Sequence, residues 1–379
     1  MKIAIPKERR EHEKRVAATP DTVKKLIALG AEVIVEAGAG AQAMIADQAF
    51  QDQGATIAAD AATALKDADV VFKVQAPLDN EVGLFKEGAV LVSTLAPTQN
   101  TDIIKALAAR KVIACAMELM PRITRAQSMD VLSSQSNLSG YKAVLDATDH
   151  YGRAMPMMMT AAGTVAPARV FVLGAGVAGL QAIATARRLG AIVSATDVRP
   201  VAKEQVESLG ATFVMVESDE AEDAETAGGY AKEMSDDYKQ RQAALVREHL
   251  AKQDIVICTA LIPGRAAPTL IDDDMVKSMK AGSVIVDLAV EAGGNCTLSK
   301  LGEVVDVDGV KIIGHHNWPS RLAVDSSALY AKNLLNFITP LIDAESGQLK
   351  LDWEDEIVLG VALTRDGEIV HPLLKDGGN

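Results

Sequence analysis

Two doubly wound α/β domains with parallel sheets, joined by long helices, are predicted for this chain from three features of its sequence. Apolar runs of four to six residues alternate with longer helical patterns, as expected where each parallel strand needs a crossover to reach the next. The alternation comes in two sets, one opening at Lys2 and the other at Arg169. Two helical patterns, "SNLSGYKAVLDATDHYG" (136–152) and "SSALYAKNLLNFITPLI" (326–342), flank the second set. They divide the 379 residues into a first domain of 1–135 plus 326–379 and an inserted domain of 136–325.

In the first set, strands are expected at 2–5, 32–36, 70–74, 89–93 and 112–116. Between the first two, "TPDTVKKLIALG" offers Thr19 or Asp21 as a helix N-cap and Gly30 as its end. The second set has strands at 169–174, 192–197, 212–216, 254–260 and 282–289, followed by "KIIGHHN". The tail "EIVLGVALTRDGEIVHP" alternates around Asp366–Gly367 and reads as a hairpin.

Composition narrows the class. A net charge of −13 weighs against nucleic-acid binding, which needs clustered Lys and Arg, and against docking on an anionic membrane surface. The opening "MKIAIPKERREHEKR" turns charged after five residues, unlike a signal peptide. The most apolar window, "RVFVLGAGVAGLQAIATA" (169–186), carries three glycines and runs into Arg187–Arg188. It suits a strand, turn and helix better than a membrane span. Cys115, Cys258 and Cys296 have neither metal nor disulfide spacing, which fits a reducing compartment.

The strongest chemical signal follows the strand at Arg169. Gly174, Gly176 and Gly179 form G-x-G-x-x-G directly before a helical pattern. The three glycines serve a tight turn, close approach of backbone to a pyrophosphate, and close helix–strand packing. The helix N-terminus then presents N–H groups to phosphates. Asp197 ends the next strand, where a carboxylate grips ribose hydroxyls and repels a 2′-phosphate, so NAD(H) is expected over NADP(H); Arg199 weakens that preference. Two more strand ends, "CTALIPG" and "DLAVEAGGN", belong to the same crevice, with Leu261 placed to pack on a ring and Asp287 and Glu291 the nearby acids. Asp287 reads equally well as a cap or packing residue.

No acid–base centre accompanies this site. The six histidines leave 13–149 bare, and the adjacent His315–His316 point to opposite faces of a strand. Arg15 and Lys73 could hold a carboxylate substrate or form salt bridges in the first domain. The run "MPRITRAQSMDVLSSQSN" (120–137) leaves the fifth strand with far more hydrogen-bonding side chains than a connector needs. The acidic stretch 216–238, with Tyr230 after Gly228–Gly229, has the composition of a lid or of a solvated loop.

Taken together, "PKERREHEKRVAATP", the glycine fingerprint, "ETAGGYAKEMS", "TALIPG" and "DLAVEAGGNC" resemble the alanine dehydrogenase/transhydrogenase family along essentially the whole chain. "ELMPRITRAQSMDVLSSQSNLSGYKAV", "MMMTAAGTV" and "NLLNFITPL" resemble its transhydrogenase branch. Alanine dehydrogenases bind pyruvate with an Arg and a Lys and use a His from a Y-L-H-L-A segment. Arg15 and Lys73 match the first two, but the third segment here holds Thr94, Leu95 and Ala96.

The resemblance therefore implies an NAD(H)-binding component of a proton-translocating NAD(P)+ transhydrogenase, passing hydride directly to NADP+ on a partner. Such a transfer needs aligned rings and no proton donor. The alternative is a self-contained amino-acid dehydrogenase. The resemblance implies a catalytic set of Arg122, Gln127, Asp130 and Ser133 at the nicotinamide end, with Ile123, Thr124, Ser128 and Met129 in the same contact segment. It further implies Gly174, Ala175, Gly176, Val177 and Gly179 at the pyrophosphate, and Asp197, Val198 and Arg199 at the adenosine ribose. Gly229, Gln242 and Leu261 match further nucleotide contacts, and Tyr230 the mobile-loop tyrosine. The implied partners are a second copy of the chain in a homodimer, an NADP(H)-binding domain III or beta subunit, and a membrane-spanning proton-conducting subunit. They imply a cytoplasmic chain held peripherally at the inner membrane, with no metal, no nucleic acid and no membrane insertion of its own.

Overall fold

The computed structural model describes residues 1–199, 201–216, 235–262, 264–343 and 346–375. The chain divides into two compact units, Met1–Gln135 with Ser320–Asn379, and Ser136–Pro319. Both are α/β with a doubly wound sheet, as expected for the fold class.

The first unit holds β1 (Lys2–Ile5), β2 (Glu32–Glu36), β3 (Thr56–Ala58), β4 (Val70–Phe72), β5 (Val90–Ser93) and β6 (Ile113–Ala116). They pair in parallel in the order β3-β2-β1-β4-β5-β6. β4 and β5 are buried throughout, as continuous Val-rich runs must be when both faces of a sheet are covered. The helix Pro20–Ala28 starts at Thr19, not Asp21: Thr19 accepts from the Thr22 N–H in a capping box, and its Val23 and Leu26 join the core with Ile3 and Ile5. The C-terminal segment completes this core with Tyr330, Leu334, Phe337 and Ile338 of the helix Ala323–Ile338.

The tail departs in part from the hairpin reading. Glu356–Val361 is helical, capped by the Asp355 carboxylate on the Ile357 N–H, and it buries Ile357, Val358 and Val361. Only Thr364–Arg365 and Glu368–Ile369 pair, around Asp366–Gly367 with both φ positive.

In the second unit the first strands form an exposed antiparallel hairpin, β7 (Met158–Thr160) and β8 (Gly163–Val165). Its main sheet contains β9 (Arg169–Leu173), β10 (Ile192–Thr196), β11 (Thr212–Phe213), β12 (Ile255–Cys258), β13 (Val284–Asp287), β14 (Val304–Val307) and β15 (Val310–Ile313). The order is β11-β10-β9-β12-β13-β15-β14, parallel except for β14 against β15. β14 goes unread in the sequence although "VVDVDGVKII" carries its turn, Asp308–Gly309, with φ of 52° and 84°. The winding direction reverses between β9 and β12, which is where ligands settle in open sheets of this kind.

The helix predicted from 136 begins at Val131 and runs to His150. No described helix is long and apolar enough to cross a membrane.

Candidate nucleotide-binding site

The glycine turn sits between β9 and the helix Val177–Arg188. Gly174 has φ +95°, and a Cβ there would meet Thr259 Oγ1 at 2.7 Å. Gly179 has the tightest neighbour: a Cβ would lie 1.9 Å from the Gly174 carbonyl oxygen, so only glycine lets this helix approach its strand. Gly176 differs from both. It is the N-cap, offers no side-chain cap, and a Cβ would point into open space. Backbone can therefore approach a phosphate there, and the first-turn N–H groups are not claimed by a cap. A third close approach, which the sequence reading misses, comes from Gly140 of the helix Val131–His150. Its Cβ would fall 2.0 Å from the Ala178 carbonyl oxygen, pinning the start of the same helix. A lone Gly in a helical pattern is its one sequence signal.

Asp197 lies just past β10 with its side chain largely covered. One carboxylate oxygen accepts the Ala175 N–H at 2.7 Å and an Arg199 terminal nitrogen at 2.9 Å. The other accepts the Arg199 backbone N–H and Nε, each at 2.9 Å. Arg199 thus does more than stand nearby: it neutralises the charge that would repel a 2′-phosphate. Val198 is half-buried between them.

Gln242, on the helix Asp236–Leu250, donates to Thr196 Oγ1 at 2.8 Å and accepts from the Val216 N–H at 3.1 Å. Its amide joins the end of β10 to the segment after β11. Leu261 follows β12 and is 51% exposed, a large apolar side chain at a strand end. Gly229 and Tyr230 lie outside the described residues. Asp287, weighed as an acid or a cap, is fully buried and accepts the N–H groups of Ala289, Asn295 and Cys296 and the Ser299 hydroxyl. That is a structural role: the carboxylate ties together the turn and loop after β13, with no helix capped by it.

In the first unit, 120–137 is mostly helical, not an extended connector. Thr124–Met129 is a 3₁₀ helix, in which residues three apart eclipse. Ile123, Ala126 and Met129 therefore share one edge, and all three pack in the apolar core. Arg125 and Ser128 share a second edge. Arg125 binds the Asp355 carboxylate at 2.8 and 2.6 Å, and the Ser128 carbonyl accepts from Asn333 and Asn336. Thr124 and Gln127 fall on the third, exposed edge, and no described group bonds to the Gln127 side chain. Asp130 and Ser133 cap the long helix on each other: Asp130 accepts the Ser133 N–H at 3.0 Å and the Ser133 hydroxyl. Arg122 is exposed at the start of the run.

A set of buried charges in the first unit gathers near the carboxyl ends of its strands. Arg15 donates Nε and a terminal nitrogen to both oxygens of Glu13, at 2.8 and 2.7 Å, and its other terminal nitrogen to Gln135 at 2.8 Å. Lys73 lies between Glu8 at 3.3 Å and Glu81 at 3.4 Å. All six side chains are buried. Burial holds the Glu8 carboxyl above its ordinary value, against the opposing pull of Lys73. Of the two readings of Arg15 and Lys73, the structure contains the salt bridges. His315 lies 3.9 Å from an Asp146 oxygen, and among the described residues no three His, Cys, Asp or Glu side chains gather as metal ligands.

Comparison with known proteins gives the same picture at the level of the whole chain. Residues 4–139 match the Alanine dehydrogenase/PNT N-terminal domain, and 143–372 match the Alanine dehydrogenase/PNT C-terminal domain. The chain is 61% identical to the first of the separately named parts of NAD(P) transhydrogenase subunit alpha of Rhodospirillum rubrum over 383 aligned residues, covering all of both chains. It is 31% identical to an alanine dehydrogenase of Halomonas elongata, over 98% of this chain and 95% of that protein. The crystal structure of a transhydrogenase from Sinorhizobium meliloti superposes with a TM-score of 0.89 at 53% identity, covering 98% of this chain and all of that one. The chain belongs to the alanine dehydrogenase/PNT family.

Proposed function

We propose that this chain is the NAD(H)-binding component of a proton-translocating NAD(P)+ transhydrogenase. The observation that carries this reading is the contrast between its two strand-end clusters. In the second unit a glycine turn is open at Gly176, whereas in the first Arg15 and Lys73 are already engaged by Glu13, Glu8 and Glu81. A carboxylate substrate would have to displace a buried glutamate from each cation, which argues against a self-contained amino-acid dehydrogenase.

Bound NAD(H) would supply the hydride. Gly174 and Ala175 shape the turn, their N–H groups held by the Thr196 carbonyl and the Asp197 carboxylate, and Gly176, Val177 and Gly179 bring backbone N–H groups to the pyrophosphate. Asp197, with Val198 and Arg199 beside it, meets the adenosine ribose, and Leu261 packs on a ring face. Gln242, with Gly229 and Tyr230 by resemblance, completes the contacts. Gln127 and Arg122 orient the carboxamide of the nicotinamide. Asp130 and Ser133 fix the turn that carries them, with Ile123 and Met129 anchoring its inner edge and Thr124 and Ser128 its flanks. Because such a hydride would pass directly between two bound nicotinamides, the chain's own residues would orient the ring and exclude water, and no side chain would need to move a proton.

NADP(H) is held on a domain III or beta subunit, and a membrane-spanning subunit conducts protons. The chain is thereby cytoplasmic and peripheral to the inner membrane. It pairs as a homodimer. The hairpin β7–β8 supports that reading, because Met158 and Met159 stand 43% and 79% exposed on it, and a lone two-stranded ribbon gains stability by packing.

Mixing the chain with an NADP(H)-binding partner and following hydride from NADH to an NADP+ analogue tests the proposal. Transfer that needs both proteins is expected, and no transfer at saturating partner refutes it. Pyruvate- and ammonia-dependent NADH oxidation by the chain alone would favour the dehydrogenase instead. Within the reading, Gln127→Asn shortens the exposed amide without touching the core edge. It should leave NADH affinity within about twofold while slowing transfer severalfold or more; an unchanged transfer rate removes Gln127 from its role.

A further inference from the structure

The described residues of the loop that carries Leu261 form neither helix nor strand, yet both ends of the loop are tied to one buried side chain. Asn295 is fully buried. Its side-chain oxygen accepts the Ala260 N–H at 3.1 Å, and its amide donates to the Ala260 carbonyl at 2.9 Å and the Pro268 carbonyl at 2.8 Å. One carboxamide thus satisfies three backbone groups at the two ends of the loop. A buried carboxamide offers this combination of donor and acceptor, whereas a carboxylate lacks the donor and a hydroxyl lacks the reach. The Asn295 backbone carbonyl also accepts from the Leu270 and Ile271 N–H groups, at 2.8 and 3.0 Å.

Asn295 is itself held from below. Its backbone N–H donates to Asp287 at 2.8 Å, beside the Cys296 N–H and the Ser299 hydroxyl on the same oxygen. The chain reaches that carboxylate through Gly293 and Gly294, with φ of 103° and 85°, and a Cβ on Gly294 would come within 2.9 Å of it. At the other side of the loop, Thr259 donates its hydroxyl to the Gly174 carbonyl at 2.9 Å and its N–H to the Leu173 carbonyl at 2.8 Å. The loop is therefore pinned to the glycine turn at its start and to Asn295 at both ends, while Leu261 and Ile262 remain exposed.

We infer that Asn295 is the positioning residue for the Leu261 contact: it fixes the loop after β12 so that Leu261 meets the nucleotide preformed against the glycine turn. This inference rests on the nucleotide-binding reading above. Asn295 does not touch the ligand. It acts through Ala260 and Pro268, with Asp287 holding its backbone.

The test is a double-substitution cycle on NADH affinity, measured by fluorescence titration of the full chain. Asn295→Asp keeps an acceptor for Ala260 but turns a second oxygen toward two carbonyls, and it should weaken NADH about tenfold. Leu261→Ala should weaken it severalfold. Combined, the two should cost little more than Asn295→Asp alone, because a displaced loop has no Leu261 contact left to lose. Leu107→Ala, in the core of the first unit, serves as a stability control that lowers Tm without touching the loop. Additive losses overturn the inference, as does an Asn295→Asp loss no greater than that of the control at an equal drop in Tm. If Asn295→Asp does not fold, Asn295→Ser carries the same cycle, since it keeps a neutral side chain and loses the reach to Pro268. A parent chain that binds no NADH defeats the underlying reading and not this step.

Discussion

The two sheets run through the same strand order over their first five positions but treat their carboxyl ends in opposite ways. In the first unit the strand ends bring charges together and bury them: Glu8, Glu13 and Arg15 after β1, Lys73 after β4. Both cations are already engaged by buried carboxylates, Arg15 by Glu13 and Lys73 by Glu8 and Glu81. In the second unit the corresponding ends offer backbone. The turn at Gly176 has no side chain and no cap, and Asp197 is the main charge nearby, already matched by Arg199. One topology thus yields a structural ionic core and a ligand-ready turn, and residue choice at a few strand ends separates the two.

The sharpest way to break the contrast is to remove a cation from the closed cluster. Lys73→Met leaves Glu8 and Glu81 buried without it, and stability should fall by about 3–5 kcal/mol in denaturant unfolding, with NADH affinity of the folded protein unchanged. A loss under about 1 kcal/mol would mean that water reaches the cluster. Next in size is the open turn. Gly179→Ala forces a Cβ against the Gly174 carbonyl, and the displaced helix should cost about 1–3 kcal/mol, read as up to a hundredfold weaker NADH binding in a titration.

Smaller effects follow from the single matched charge. Asp197→Ala frees the Arg199 guanidinium to meet a 2′-phosphate, so the NADH-to-NADPH affinity ratio should fall about tenfold; Arg199→Ala should move the ratio the other way. Equal ratios in parent and both variants would show that the pair does not set selectivity. The smallest expected effect concerns Glu8. Because burial raises its folded value, the folded chain keeps a proton that the unfolded chain releases. That contribution is complete below the ordinary value of 4.5 and fades as pH rises through the raised one. Glu8→Gln removes the fade, so its Tm should gain on the parent's as pH rises from 4.5, and parallel profiles would refute the assignment.

What can be read from the sequence follows how local each signal is. β1, β2 and the central strands are continuous apolar runs, visible without any partner. β3 has three residues and little pattern, and β14 escapes notice although Asp308–Gly309 announces its turn. Glu356–Val361 alternates like a strand in sequence, but Ile357, Val358 and Val361 also share one helical face, and the Asp355 cap decides for the helix. In the site, the glycine fingerprint is local and legible. The engagement of Asp197 by Arg199, the Gly140 contact on Ala178 and the reach of Asn295 to Pro268 are not, because each depends on how the folded backbone brings its groups together.

The 3₁₀ turn at Thr124–Met129 makes its segment a three-sided rod: one side buried, one fastened to neighbouring helices, one presented outward. With about three residues per turn, each residue added or lost rotates everything beyond it by about 120°. Deleting Thr124 would bring Arg125 toward the outward side and turn Gln127 to the side now facing the core. Substitutions here can change one side at a time, but insertions and deletions scramble all three. The segment should therefore tolerate drift in composition far better than drift in length.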